Sequence, residues 1–141
     1  MNINLIPKNI LIFGDQDFRG DCPTETAEQI SFFSWLKSHK PELHAIAIHV
    51  RNEGKKTARQ GHQHKLEGLN VGASDIIIPC FPTLVIELKR RDRTKSKISK
   101  EQIKYLYNCE KAGAMACLAL GCAGAIEAVK KWCLEYEPLN K

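Results

Sequence analysis

The chemistry available to this sequence is concentrated where charged residues interrupt an apolar stretch. If the run from Thr83 to Lys89 is a strand, its side chains alternate between faces, so Leu84, Ile86 and Leu88 share one side and Val85, Glu87 and Lys89 the other. A carboxylate and an amine become neighbours, about 7 Å apart along the strand. The preceding apolar run, Asp75 to Pro79, is separated from this one by Cys80, Phe81 and Pro82, and the two read as a hairpin that can bring Asp75 near Glu87. Two acids beside a lysine suit Mg²⁺, which keeps several waters and takes one or two carboxylates plus a substrate phosphate. The metal would polarise the phosphate and help generate hydroxide, while Lys89 could orient the attacking water and offset developing charge. That is metal-assisted phosphodiester hydrolysis. The competing reading is an ordinary ion pair of Glu87 and Lys89 on a wet sheet face, with Asp75 merely opening a strand after a turn.

Charge distribution favours the first reading. Between Lys89 and Lys104 stand eight basic residues (Lys89, Arg90, Arg91, Arg93, Lys95, Lys97, Lys100, Lys104) against Asp92 and Glu101, a local +6 that exceeds the +5 of the whole chain. A basic segment leaving the acid pair reads as a phosphate-tracking surface, and Lys55, Lys56, Arg59 and Lys65 add a second arm; the alternative is a solvated connector. Aromatic residues are sparse there, which argues against a base-stacking platform.

The elements that must position these groups follow from periodicity and caps. From Thr24 to about His39, Ala27, Ile30, Phe32 or Phe33, and Leu36 recur at helical spacing, with Thr24 placed to cap the first turn. Glu25 and Glu28 there complement the helix dipole or serve a site. After Pro41, the alternation of Ile46, Ile48 and Val50 predicts a half-buried strand, and Lys55 to Gly68 a short helix or a loop. Ser99 and Gln102 form a capping box for a helix through Ile103, Leu106, Tyr107 and Glu110 that stops at Gly113; Gln102 either closes that box or reaches the site. Ala114 to Leu120 is strand-length, and after Gly121 to Gly124 a last helix through Ile126, Val129 and Cys133 ends before Pro138. Ile10 to Phe13 is a candidate extra strand. The strands flanking the second helix should run parallel through a crossover, giving an α/β class with a small mixed sheet.

At 141 residues, 43% hydrophobic and 26% charged, the chain reads as a single domain able to bury a core without staples. Its longest apolar run, Ala114 to Cys122, falls well short of the roughly 20 residues of a membrane helix, and the N-terminus lacks a secretory pattern, so a cytoplasmic protein without a membrane partner is expected. Cys22, Cys80, Cys109, Cys117, Cys122 and Cys133 are spread across apolar segments, which predicts reduced thiols, and no Cys pair has zinc-knuckle spacing.

The order of Glu25 and Glu28 on a first helix, Gly72-Ala73-Ser74-Asp75 opening a strand, Ile86-Glu87-Leu88-Lys89, and Ser99-Lys100-Glu101-Gln102 opening a helix resembles the PD-(D/E)xK nuclease superfamily. More narrowly it is similar to the VRR-NUC branch, small stand-alone nucleases common in bacteriophages. The likeness runs from Thr24 to Cys133 and includes Phe33-Ser34-Trp35-Leu36 and Arg51-Asn52-Glu53-Gly54-Lys55. It implies a restriction-endonuclease-like core of helix, three-stranded antiparallel meander, helix and strand, here with a C-terminal helix. It also implies that Asp75, Glu87 and the Leu88 carbonyl ligate Mg²⁺ (or Mn²⁺), that Lys89 is the catalytic lysine, and that Gln102 supports lysine and substrate. Glu25 matches the first-helix acid, with Glu28 one turn on as the alternative. Ser74 departs from the family's Pro, and residues 1–23 have no counterpart, leaving an extension of unassigned role before a core of about 24–136.

The expected activity is a divalent-metal-dependent DNA endonuclease using metal-activated water without a covalent intermediate, in the host's cytoplasm if phage-encoded. The alternatives are a non-catalytic nucleic-acid-binding module on the same scaffold and a dimeric nuclease that resolves four-way junctions, so a homodimer stays open. Because Glu87 and Lys89 are expected on a polar strand face, replacing either with Ala should abolish cleavage and leave the fold intact.

Overall fold

A computed structural model describes residues 1–51 and 57–136. Its first helix, α1 (Glu25–His39), begins where Thr24 predicts: the Thr24 hydroxyl accepts the Ala27 amide at 3.2 Å. The buried stripe of α1 is Glu28, Phe32 and Leu36, four residues apart, and Ile30 is 67% exposed rather than inward-facing. The helix can bury an acid because Glu28 has a partner across the interface, described below.

After α1 a single helical turn, α2 (Pro41–His44), buries Leu43. The alternation from Ile46 to Val50 yields only a two-residue strand, β2 (Ile48–His49), with Ile48 half exposed at 50%. It is an edge strand, which is why the expected burial fails. The segment read as helix or loop holds α3 (Ala58–Leu66), opened by a reciprocal capping box of Thr57 and Gln60. Lys55, Lys56 and the Asn52-Glu53-Gly54 stretch lie outside the described residues.

The hairpin forms from β3 (Ile76–Ile78) and β4 (Leu84–Lys89), antiparallel in the register Ile76↔Ile86 and Ile78↔Leu84. Helix α4 (Lys100–Lys111) follows, then β5 (Met115–Leu120), parallel to β4, and α5 (Gly121–Glu135), which starts directly at Gly121 without the expected Gly-rich turn. Residues 1–23 are built into this sheet: β1 (Leu11–Phe13) pairs parallel with β5 through Leu11↔Cys117. The strand order is β1-β5-β4-β3-β2.

Strand alternation sorts the core into two layers. Leu84, Ile86 and Leu88 of β4 pack with Phe32 and Leu36 of α1 and Ala125, Val129 and Trp132 of α5. Val85 packs on the other face with Leu106 of α4, Leu118 and Leu120 of β5, and Ile6 and Ile10 from the N-terminal segment. Glu87 and Lys89 share the Val85 parity, so they face the α4 side.

Candidate active site

Asp75 directly precedes β3, and the Ile76↔Ile86 register sets it opposite Glu87. Its Oδ2 accepts the Leu88 amide at 2.8 Å. Its backbone carbonyl accepts the Val50 amide at 2.8 Å and lies 3.2 Å from His49 Nδ1. A strand residue presents N–H and C=O on the same edge, so the Leu88 carbonyl stands on the Asp75 side as well. The loop before Asp75 lies tight on α4: a Cβ on Gly72 would come within 2.2 Å of the Glu101 carbonyl oxygen, so only glycine fits this approach.

Glu87 and Lys89 are 1% and 4% exposed, which corrects the expectation of a polar strand face outside the core and rules out the competing wet face: both are buried under α4. The Lys89 ammonium is held by three acceptors, the Lys97 carbonyl at 2.5 Å, Gln102 Oε1 at 3.3 Å and Glu87 Oε1 at 3.4 Å. That set matches the three donors of an ammonium. Gln102 Oε1 also accepts the Ser99 amide at 2.9 Å, so the capping box and the contact with Lys89 are made by one atom.

Electrostatics here are set by burial. Desolvation, reinforced by the Asp75 charge and opposed by Lys89, pushes the Glu87 carboxyl up to about 8. Desolvation also raises Asp75, against the Leu88 amide and Lys89. Glu87 Oε2 is buried without a hydrogen-bond partner. The Asp75 and Glu87 carboxyls thus act on each other beside one ammonium. This donor set, two carboxylates with a backbone carbonyl rather than a cage of many ligands, is what Mg²⁺ takes when it keeps waters and a substrate phosphate.

Glu25 stands at the rim. With Thr26, Gln29 and Ile30 of α1, His49 and Arg51 beside β2, and Asp75, it lines an open polar cavity of about 490 Å³. Burial raises its carboxyl, Lys89 lowers it and Asp75 raises it again, so the three groups share one field. Glu28 turns away. Its Oε2 accepts the Cys122 amide at 2.9 Å in the first turn of α5, whose N-cap residue, Leu120, offers no side chain for capping. A Cβ at Gly121, whose φ is +71°, would lie 2.1 Å from that oxygen. The acid thus also complements the dipole of α5. Thr26, Gln29 and His49 were missed in the sequence, and Arg51 was noted only as part of the family likeness, because a groove between a helix and an edge strand has no periodic signature.

The basic segment is used in a way the sequence does not reveal. Arg90 donates from Nε to the Pro23 carbonyl at 3.0 Å and from Nη2 to the Cys22 carbonyl at 2.7 Å. Arg93 donates to the carbonyls of Gln16 and Met1, and Lys95 to that of Gly20. The Arg91 guanidinium sits 4.0 Å over the Phe18 ring. Asp92, buried, accepts from Thr94 and from the Gly20 amide, which pull its carboxyl down to about 2. Lys97 and Arg59 expose their side chains to solvent.

No family model matches the sequence, and no curated protein matches it. Among solved structures, a VRR_NUC domain protein is similar with a TM-score of 0.66, over 82% of this chain and 90% of that chain, at 22% sequence identity. The chain therefore has a VRR-NUC-like fold; its own elements run helix, antiparallel meander, helix and strand, with β1 at the sheet edge. No helix among the described residues is long and apolar enough to cross a membrane.

Proposed function

We propose that this chain is a divalent-metal-dependent DNA endonuclease that hydrolyses phosphodiester bonds. The reading is carried by one observation: Asp75 and Glu87 face each other beside a triply bonded Lys89, with a buried Glu87 oxygen lacking a partner. Asp75, Glu87 and the Leu88 carbonyl would hold Mg²⁺, or Mn²⁺ in its place. When bound, that cation polarises the scissile phosphate and lowers the pKa of a nearby water. Lys89 holds a fixed positive charge against the charge developing on the phosphate, and its three acceptors fix where that charge stands. Gln102 orients Lys89, and Glu25 closes the acidic rim. Arg59 and Lys97, and Lys55 and Lys56 by sequence, supply phosphate contacts, whereas Arg90, Arg93 and Lys95 spend their donors on carbonyls of the N-terminal segment and Arg91 stacks on Phe18.

The test is cleavage of labelled duplex, nicked, flap, single-stranded and four-way-junction DNA with Mg²⁺, Mn²⁺ or EDTA, beside Glu87→Ala. Metal-dependent cutting that the variant lacks is the expected result. Tight binding without cutting on every substrate would move the chain to a nucleic-acid-binding module.

A further inference from the structure

Arg90 follows Lys89 in the chain, and strand parity turns the two side chains to opposite sides. Lys89 goes down to α4 and Gln102, whereas Arg90 goes up to the side where α1 packs. There its planar fork engages two consecutive carbonyls, Cys22 at 2.7 Å and Pro23 at 3.0 Å. These residues immediately precede the cap Thr24, and Glu25 is the first residue of the helix. Arg90 is itself anchored, because its amide donates to Ser96 Oγ at 3.0 Å and Ser96 is buried. The start of α1 is thus tied by two hydrogen bonds to the residue next to the lysine of the site. One turn on, the Glu28 bond to the Cys122 amide fixes the rotation of the same helix from its other side.

Resting on the nuclease reading, we propose that Arg90 is a positioning residue that docks the N-terminus of α1 so that Glu25 faces the Asp75 and Glu87 carboxylates, rather than a contact to the DNA backbone. An arginine suits this task because two donors on one rigid plane fix both distance and direction; a lysine ammonium could hold one carbonyl at a time. Its charge also acts on Glu25, offsetting a small part of the rise that burial imposes on that carboxyl.

The experiment compares the full-length wild type with Arg90→Ala, Arg90→Lys, Glu25→Gln and the double variant Arg90→Ala/Glu25→Gln. Three quantities are read: kcat and KM for metal-dependent DNA cleavage, the salt dependence of DNA binding in EDTA, and amide hydrogen exchange of residues 24–28. Arg90→Ala is expected to lower kcat on the order of 10²-fold with KM little changed, as displacement of a site group by about 1 Å does. It should leave the salt slope unchanged, add nothing to the loss in Glu25→Gln, and speed exchange at residues 24–28 while β4 and β5 stay protected. Arg90→Lys should move every readout in the same direction by less, which keeps the test open if the alanine variant does not fold.

A salt slope that falls by about one would make Arg90 a phosphate contact and overturn the proposal. So would wild-type rates in Glu25→Gln, losses that multiply in the double variant, or unchanged exchange at residues 24–28. If the wild type cuts no DNA, the nuclease reading fails, and the exchange measurement alone decides whether Arg90 docks α1.

Discussion

Gln102 and Lys89 are joined through an oxygen that is already in use: Gln102 Oε1 accepts the Lys89 ammonium at 3.3 Å and the Ser99 amide at 2.9 Å. The N-terminal cap of α4 and the orientation of the lysine are therefore one structural decision. A Glu at this position would close the same box but place a third carboxylate against Asp75 and Glu87. Glutamine is the capping-box residue that meets a lysine without adding charge.

The shared oxygen separates two variants that look alike from the sequence. Ser99→Ala removes the cap and should lower stability by about 1 kcal/mol with little loss of cleavage. Gln102→Ala should cost similar stability and slow cleavage by about tenfold or more, because Lys89 loses one of three acceptors. Equal rates in the two variants would show that the Lys89 contact is incidental. Urea melts and single-turnover cleavage measure both effects.

Burial changes what removal of Lys89 should do. On a wet face Lys89→Ala would leave the fold untouched, but at 4% exposure it strands Glu87 at 1% exposure. Above about pH 8, where the Glu87 carboxyl is ionised, breaking a buried pair from one side costs about 3–5 kcal/mol. Lys89→Ala should therefore be inactive and clearly destabilised in urea, and Lys89→Ala/Glu87→Gln should recover much of the stability without the activity. Full stability of the single variant would mean that Glu87 takes up a proton at no cost.

Much of this arrangement was legible before any coordinates. Thr24, the Ser99 and Gln102 spacing, and the alternation around Glu87 identify α1, α4 and β4, because caps and faces are written in side chains. The choice between Glu25 and Glu28 was not written there. It depends on Gly121 allowing α5 to start against α1, a relationship between segments far apart in the chain. The holding of Arg90, Arg93 and Lys95 was equally invisible, since their acceptors are backbone carbonyls that any residue carries. The place of β1 was suggested by Ile10 to Phe13, but three residues at a sheet edge give too short a pattern to fix a partner.

Glu87 also makes stability depend on pH in a stated direction. Its folded value of about 8 lies above the ordinary 4.5, so between those values the folded state holds a proton that the unfolded state has released. Its contribution to stability is full below the lower value, declines as pH rises through the window, and is constant above it. Without divalent cation, stability should fall from about pH 5 to about pH 8 by at most about 1.4 kcal/mol per unit from this group. Binding of Mg²⁺ requires the ionised form, so its apparent affinity should rise over the same range and level off above about pH 8. Glu87→Gln should flatten the metal-free slope; melts in EDTA and with Mg²⁺ across pH test both parts.

The basic residues should divide by what they touch. Arg93 holds the carbonyls of Gln16 and Met1, so Arg93→Ala should lower the melting temperature and leave the salt slope of DNA binding near the wild-type value. Lys97 exposes its side chain while its carbonyl anchors the Lys89 ammonium, so Lys97→Glu keeps the anchor and alters only the outward charge. That variant should bind DNA more weakly and reduce the salt slope by about one, with melting little changed. A basic segment that was only a connector would show neither pattern of response to salt. A segment that tracked phosphate along its whole length would give Arg93→Ala the same slope change as Lys97→Glu.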